Sequence, residues 1–213
     1  MEPNKIIMNP MYNNTWAKLF DGIESKVNPW NVRKMLLRLL VNPSKELRKA
    51  FINERKKIIR LPHTIGLQLR IGGELADSPE EYTGVPISRL DEVLDQIRAI
   101  IRKRKWEGKV QIYISSDSSK VIRMIQNKTQ NEFPVVESTL FKHGHTNLNR
   151  DEYLDVTSKV LSDFYYMTTC DRVVITWPSS LGRLMCFMMD ENKCDAVLNW
   201  WSPSKKIPFP TKK

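Results

Sequence analysis

The chain has 213 residues, enough for one domain or one domain with an extension, and its 41% apolar and 27% charged content is that of a globular protein. No stretch approaches the roughly 20 apolar residues of a membrane span, and the start, MEPNKIIMNP, lacks the basic-then-apolar order of a signal peptide, so no membrane contact is expected. A net charge of +10 and a pI near 9.5 favour an anionic partner: nucleic acid, a membrane surface or a phosphorylated small ligand.

The first 60 residues read as helical. Trp30 to Leu40 places apolar residues at helical spacing and stops at Asn42-Pro43. Ser44 then caps a second helix reaching about Ile59, with Leu47, Phe51 and Ile58 on its inner side. Beyond Pro62 the period changes. Ile65, Leu67, Leu69 and Ile71 alternate with Gly66, Gln68 and Arg70, which predicts a strand over Thr64–Ile71 ended by Gly72-Gly73. Ser88 opens a helix with Leu90, Val93, Leu94, Ile97, Ile100 and Ile101 on one face, the strongest helical signal in the chain. Val110–Ser115 is a near-continuous apolar strand, as in a sheet buried on both faces. A short helix over Lys120–Gln126 and a third strand over Pro134–Glu137 follow.

A His-, Gly- and Asn-rich loop, Lys142–Asn149, leads to a helix from about Arg150 to Thr168 and a fourth strand over Arg172–Thr176. Ser179 or Ser180 caps the next helix, whose inner face is Leu181, Leu184, Met185 and Met188, and Ala196–Asn199 is the last candidate strand. Strands alternating with helices imply a parallel sheet. The expected organisation is a helical segment over 1–60, a Rossmann-like α/β domain over 61–202, and an irregular basic tail over 203–213. Of the three cysteines, Cys170 and Cys186 are expected to be buried thiols, and the odd count argues against a disulfide framework. None pairs with Cys194 as CxxC, and His143 and His145 lie far off in sequence, so no zinc site is expected.

Ligands of open parallel sheets bind at the carboxyl ends of the strands. That rule selects Arg70 to Gly73, Ser115 to Ser119, the loop after Glu137, and Trp177 to Gly182. Arg70 is costly to bury unpaired and its planar fork suits phosphate, but an ion pair with Asp117 or Asp163 satisfies it equally well. Ser179-Ser180-Leu181-Gly182, after a strand and opening a helix, suits an anion site or a plain N-cap. Asp117 suits a ribose or base contact, or the cap of the following helix; Asp163 faces either inward to a partner or outward to solvent. No GxGxxG follows the first strand, and GxxxxGK[ST], DxD and GxSxG are absent, so redox-dinucleotide, P-loop, metal-bridged diphosphate and hydrolase-elbow readings lose support. What remains is a metal-free anion site of an arginine and a helix N-terminus, with no cofactor.

These residues resemble a known family. Thr64 to Arg70 (TIGLQLR) is similar to the first-motif strand of GDP-fucose-dependent fucosyltransferases: the plant-type α1,2 enzymes, the α1,6 enzymes and the protein O-fucosyltransferases. Val110–Asp117 (VQIYISSD) resembles their second motif, and Asp163–Gly182 (DFYYMTTCDRVVITWPSSLG) their third. Leu36–Lys49 resembles the segment before the first motif of the plant-type enzymes, and Gln68 stands where the α1,6 type has His. The three motifs occur in order across residues 36–190.

The resemblance implies one Rossmann-like half of a GT-B-type glycosyltransferase that transfers fucose from GDP-fucose to a glycan hydroxyl, inverting and without metal. It implies that Arg70 binds the β-phosphate and is the catalytic residue, stabilising charge on the departing GDP. Ser179 and Ser180 would hold the same phosphate, Asp163 would read guanine or ribose, Asp117 would support the nucleoside pocket, and Gln68 would line the donor site. Glu74 and Asp77 are the candidate bases. The implied partners are GDP-fucose and a glycan or glycoprotein acceptor, with no nucleic acid, and the implied compartment is the Golgi lumen. The chain departs from the family in that such enzymes have two Rossmann-like halves. The expectation is therefore a partial or reduced chain whose acceptor site lies elsewhere. A basic nucleic-acid-binding module, motivated by the charge, and a GDP-sugar-binding remnant without activity are the alternatives.

Overall fold

The computed structural model describes residues 43–72, 75, 84–140, 150–177, 179–189 and 193–199. The chain divides into two compact units, Met1–Leu40 and Val41–Lys213, and everything described below belongs to the second. The helix expected over Trp30 to Leu40, the loop at 142–149 and the tail at 203–213 lie outside the described residues.

The elements in chain order are α1 (Lys45–Ile58), β1 (His63–Leu69), a single 3-10 turn (Ile87–Arg89), α2 (Leu90–Arg104), β2 (Val110–Ser116), α3 (Ser119–Thr129), β3 (Val135–Val136), α4 (Arg150–Thr168), β4 (Arg172–Trp177), α5 (Ser180–Met188) and β5 (Cys194–Asn199). The sheet is parallel throughout, in the order β3-β2-β1-β4-β5. Its centre is β1, matched to β2 from His63–Val110 to Leu69–Ser116 and to β4 from Ile65–Arg172 to Gln68–Ile175. The fold is thus a Rossmann-like α/β sheet with helices on both faces. The third strand is shorter than its sequence suggests: only Val135 and Val136 pair with β2.

The strand alternation decides which helices cover which face. Ile65, Leu67 and Leu69 of β1, with Ile112 and Ile114 of β2, meet Val93, Leu94 and Ile97 of α2 and Val121, Ile122 and Ile125 of α3 in one core. The opposite core joins Tyr113, Val173 and Ile175 of the sheet to Phe51 of α1, Phe164 and Met167 of α4, and Met185 of α5. Gly66 faces this second layer, where a Cβ would come within 2.6 Å of Met167 Sδ and 3.2 Å of Cys170 Sγ. A side chain there would require Met167 and Cys170 to give way. Phe51 is almost fully enclosed, so α1, read from the sequence as part of the N-terminal segment, packs on the sheet. Gln111 of β2 fastens its far end: its Nε2 donates to the Ile58 carbonyl, and its Oε1 accepts the Arg60 and Leu61 N–H groups.

The helix ends explain much of the basic charge. Arg55, Lys56 and Lys57 occupy the last turn of α1, and Arg102, Lys103 and Arg104 that of α2, where cations complement the helix dipole. Ser44 accepts the Leu47 N–H as the N-cap of α1. The expected cap of α3 passes from Asp117 to Ser118, whose Oγ accepts the Val121 N–H.

One expectation about cysteine is overturned. Cys186, near the end of α5, forms a disulfide with Cys194 at the start of β5, their Cα atoms 5.7 Å apart. An odd count leaves one cysteine over but does not stop the other two from pairing when a tight α5–β5 connection brings them together. Cys170 is a buried free thiol, pushed up to about 12 by burial and therefore unreactive as a nucleophile.

Candidate functional site

The order β3-β2-β1-β4-β5 places a reversal of chain direction between β1 and β4. From β1 the chain winds outward through β2 and β3, then returns as β4 on the other side of β1 and winds outward again. Crossover helices diverge at such a point and leave a crevice at the carboxyl ends of the two strands. Here those ends are Leu69-Arg70 and Thr176-Trp177, and α5 begins just beyond β4.

Arg70 follows β1 directly. Its guanidinium lies 3.1 Å from Asp117 Oδ2, with about a fifth of the side chain exposed against 7% for Asp117. Asp117 directly follows β2 next door and does more than pair with arginine. Its Oδ1 accepts the Ile71 N–H at 2.8 Å and its Oδ2 the Gly72 N–H at 2.9 Å. The carboxylate therefore shapes the bend after β1, where Gly72 takes φ 61°. The chain crosses back over this bend at Gly84 and Val85, whose N–H groups bond the Ile71 and Arg70 carbonyls. A Cβ on Gly84 would overlap the Arg70 carbonyl, so only glycine permits the crossing.

Ser179 is the N-cap of α5, its Oγ accepting the Gly182 N–H at 3.2 Å, and Ser180 is the first helical residue. The cap and the anion-site readings are compatible, because capping orients the first turn whose N–H groups would face a phosphate. Gln68 points into the same end of the sheet. Its Oε1 accepts the Thr176 N–H at 3.2 Å and lies where a Cβ on Gly182 would come within 2.5 Å. Gly182 thus lets α5 sit down on β1.

Asp163 comes to the same end of the sheet from α4, through Ser115, which stands opposite Gln68 in the β1–β2 register. On α4, against the second core, its carboxylate accepts hydrogen bonds from Tyr113 Oη at 2.7 Å and Ser115 Oγ at 2.8 Å and pairs with Lys159 one turn earlier. Lys159 and Asp163 have side chains only 4% and 5% exposed. Three donors within the chain, Tyr113, Ser115 and Lys159, meet this carboxylate. Burial, and then the charge of Asp163, hold the Tyr113 phenol well above its ordinary value.

The structure therefore brings together Arg70, Gln68, Asp117, Ser179 and Ser180 around the ends of β1, β2 and β4, with Asp163 reaching the same end of the sheet through Ser115, the register partner of Gln68. Glu74 and Asp77 lie outside the described residues. No cluster of His, Cys, Asp or Glu among the described residues could hold a metal ion. Sequence reasoning missed Thr176, which bonds both β1 and the approach to α5, because a threonine in a strand is ordinary β-sheet composition.

A parallel sheet with helices on both faces and a reversal of strand order between β1 and β4 defines the class: a Rossmann-like α/β domain. Comparison with solved structures narrows the fold. Over 81% of this chain and 51% of the other, the fold matches POFUT1 in complex with GDP, at 11% identity and a TM-score of 0.50. Fucosyltransferase NodZ from Bradyrhizobium is matched over 74% of this chain and 45% of the other, at 16% identity and a TM-score of 0.45. A mutant of Arabidopsis thaliana FUT1 in complex with GDP is matched over 74% and 33%, at 12% identity and a TM-score of 0.46. The chain shares the α/β fold of POFUT1. It spans about half or less of the length of these matched chains. No protein-family model and no curated protein matches it.

Proposed function

We propose that this chain supplies the donor-binding part of a fucosyltransferase that takes GDP-fucose, holding the diphosphate between Arg70 and the N-terminus of α5. One observation carries this reading: the switch-point crevice joins an arginine and a capped helix start. Thr176 bonds the Arg70 main chain through its hydroxyl and the Ser179 N–H through its carbonyl. A planar guanidinium and helical N–H groups are complementary to a diphosphate. As the bond to fucose breaks, negative charge collects on the departing diphosphate. A fixed positive charge beside it lowers the barrier without having to reorganise.

Asp117 has the role of keeping Arg70 aimed and the following bend closed. Ser179 and Ser180 set the helix start, and Gln68 spaces α5 from β1. Asp163 holds α4 to β2 through Tyr113 and Ser115. Transfer to a glycan hydroxyl, inverting and without metal, follows from the motif resemblance. Residence in the Golgi lumen is part of the same reading and gains support from the Cys186–Cys194 disulfide, which persists in oxidising compartments.

Titration calorimetry with GDP, ADP and UDP tests the proposal. GDP should bind in preference to the other two, and Arg70→Ala should weaken it roughly 30- to 100-fold, the loss of a charge-assisted contact. Equal binding of all three nucleotides overturns the donor assignment. An unchanged affinity in the Arg70→Ala variant overturns the phosphate role of that residue.

A further inference from the structure

We infer that Thr176 is a positioning residue for the phosphate site: its hydroxyl bridges the Arg70 N–H and the Gln68 carbonyl and so sets where β1 parts from β4. The inference rests on the donor reading above and deepens it.

The regular pairing of β1 with β4 ends at Gln68–Ile175. Beyond that point Thr176 and Gln68 supply side-chain bonds across the two strands. Thr176 Oγ1 donates to the Gln68 carbonyl at 2.9 Å and accepts the Arg70 N–H at 3.1 Å. Its own N–H goes to Gln68 Oε1 at 3.2 Å rather than simply extending the strand pairing, and its carbonyl accepts the Ser179 N–H at 3.1 Å. A hydroxyl carries one donor and two lone pairs, so a single atom can satisfy a carbonyl and an N–H two residues apart on the same strand.

Burial makes the arrangement selective. Thr176 is 1% exposed and Gln68 4%, so a side chain lacking the hydroxyl leaves main-chain groups unpaired where water has little access. The consequence falls on Arg70. Its side chain is paired with Asp117 just beyond β2, its N–H with Thr176 on β4 and its carbonyl with the Val85 N–H. Releasing the N–H lets the Arg70 main chain shift on the β4 side while the other two holds persist, and the guanidinium turns away from the start of α5. A positioning error of this kind should weaken contact with phosphate and leave contact with base and ribose intact.

The test compares Thr176→Val, which keeps the shape and β-propensity of threonine, with Thr176→Ser, which keeps the hydroxyl. Three ligands are titrated in each: GDP, guanosine and inorganic pyrophosphate. Amide hydrogen exchange at Arg70 is followed by NMR without ligand. Thr176→Val should weaken GDP and pyrophosphate roughly tenfold, leave guanosine unchanged and speed exchange at the Arg70 amide; Thr176→Ser should restore all three readouts. Equal weakening of GDP and guanosine, or unchanged Arg70 exchange, overturns the inference. If the wild type does not prefer GDP over ADP and UDP, the donor reading fails by itself. Pyrophosphate binding and Arg70 exchange then still decide the role of Thr176. Should the valine variant not fold, Thr176→Ala takes its place in every comparison.

Discussion

Two regions of the sheet use the same residue types for different ends. At the carboxyl edge, Arg70 meets Asp117 with about a fifth of the arginine side chain exposed. Under α4, Lys159 meets Asp163 with both side chains nearly sealed. The first carboxylate also takes two main-chain N–H groups from the bend after β1; the second takes two hydroxyls from the face of β2. An ion pair at the edge can exchange a partner with a ligand at modest cost. A sealed pair cannot, because each charge would be left desolvated. The contrast teaches that exposure, rather than the presence of opposite charges, separates a pair that can meet a ligand from one that holds the scaffold together.

The largest expected effect comes from breaking the sealed pair. Asp163→Ala strands Lys159 in the core and should cost about 3–5 kcal/mol in denaturant unfolding. Arg70→Ala, by contrast, leaves Asp117 its two main-chain donors and should cost about 1 kcal/mol or less while removing most of the GDP affinity. If Asp163→Ala were as stable as the wild type and lost GDP affinity selectively, the two regions would have to exchange roles.

The disulfide gives the next effect. Replacing Cys186 and Cys194 together by alanine opens a connection of eight residues' separation and should lower stability by about 2–3 kcal/mol. Because α5 carries the candidate helix start, the same variant asks whether the edge depends on a fixed helix. Thermal unfolding with and without a dithiol reductant reads this directly: a transition that does not move on reduction would show that the bond contributes nothing.

Alkaline pH should act on the interior. The Cys170 thiol is raised to about 12 by burial, so in the unfolded chain it ionises first, near its ordinary 9. Its contribution is fully present below pH 9 and is lost as pH rises through about 12. Cys170→Ala should flatten that part of the decline, and an unchanged profile would assign the decline to other groups, with Tyr113 and Tyr166 also raised by burial.

The smallest effect belongs to the surface. Glu132 is held below its ordinary value by hydrogen bonding to Arg98. The contribution is present above the unfolded value near 4.5 and is lost as pH falls through the lower folded value. Solvent screening should limit it to about 0.5 kcal/mol. Glu132→Gln should remove it with no change in ligand binding.

The period of the apolar residues carried the elements. Alternation over Thr64–Ile71, the continuous run after Val110 and the helical stripe from Leu90 to Ile101 state local geometry, and local geometry is what side-chain period encodes. The parallel sheet followed from their alternation, and the strand-end rule was enough to select Arg70 and the serines before α5 as places for a ligand. The sequence left open whether Asp163 faced inward or outward, because period says little about which way a mixed helix is turned. Its partner Lys159, four residues earlier, came only from the structure.

Tertiary structure decided the rest. The return of the chain beside β1 sets Thr176 next to Gln68 and Arg70, more than a hundred residues away in sequence. Residues that far apart meet only through the order of the strands, which no local pattern specifies. The same holds for Glu54 of α1, which accepts hydrogen bonds from Tyr166 and Ser138 in the core, and for the α5–β5 connection that joins Cys186 to Cys194. By itself the sequence determined which residues could bind an anion. The sheet order determined which of them are held together at the carboxyl edge.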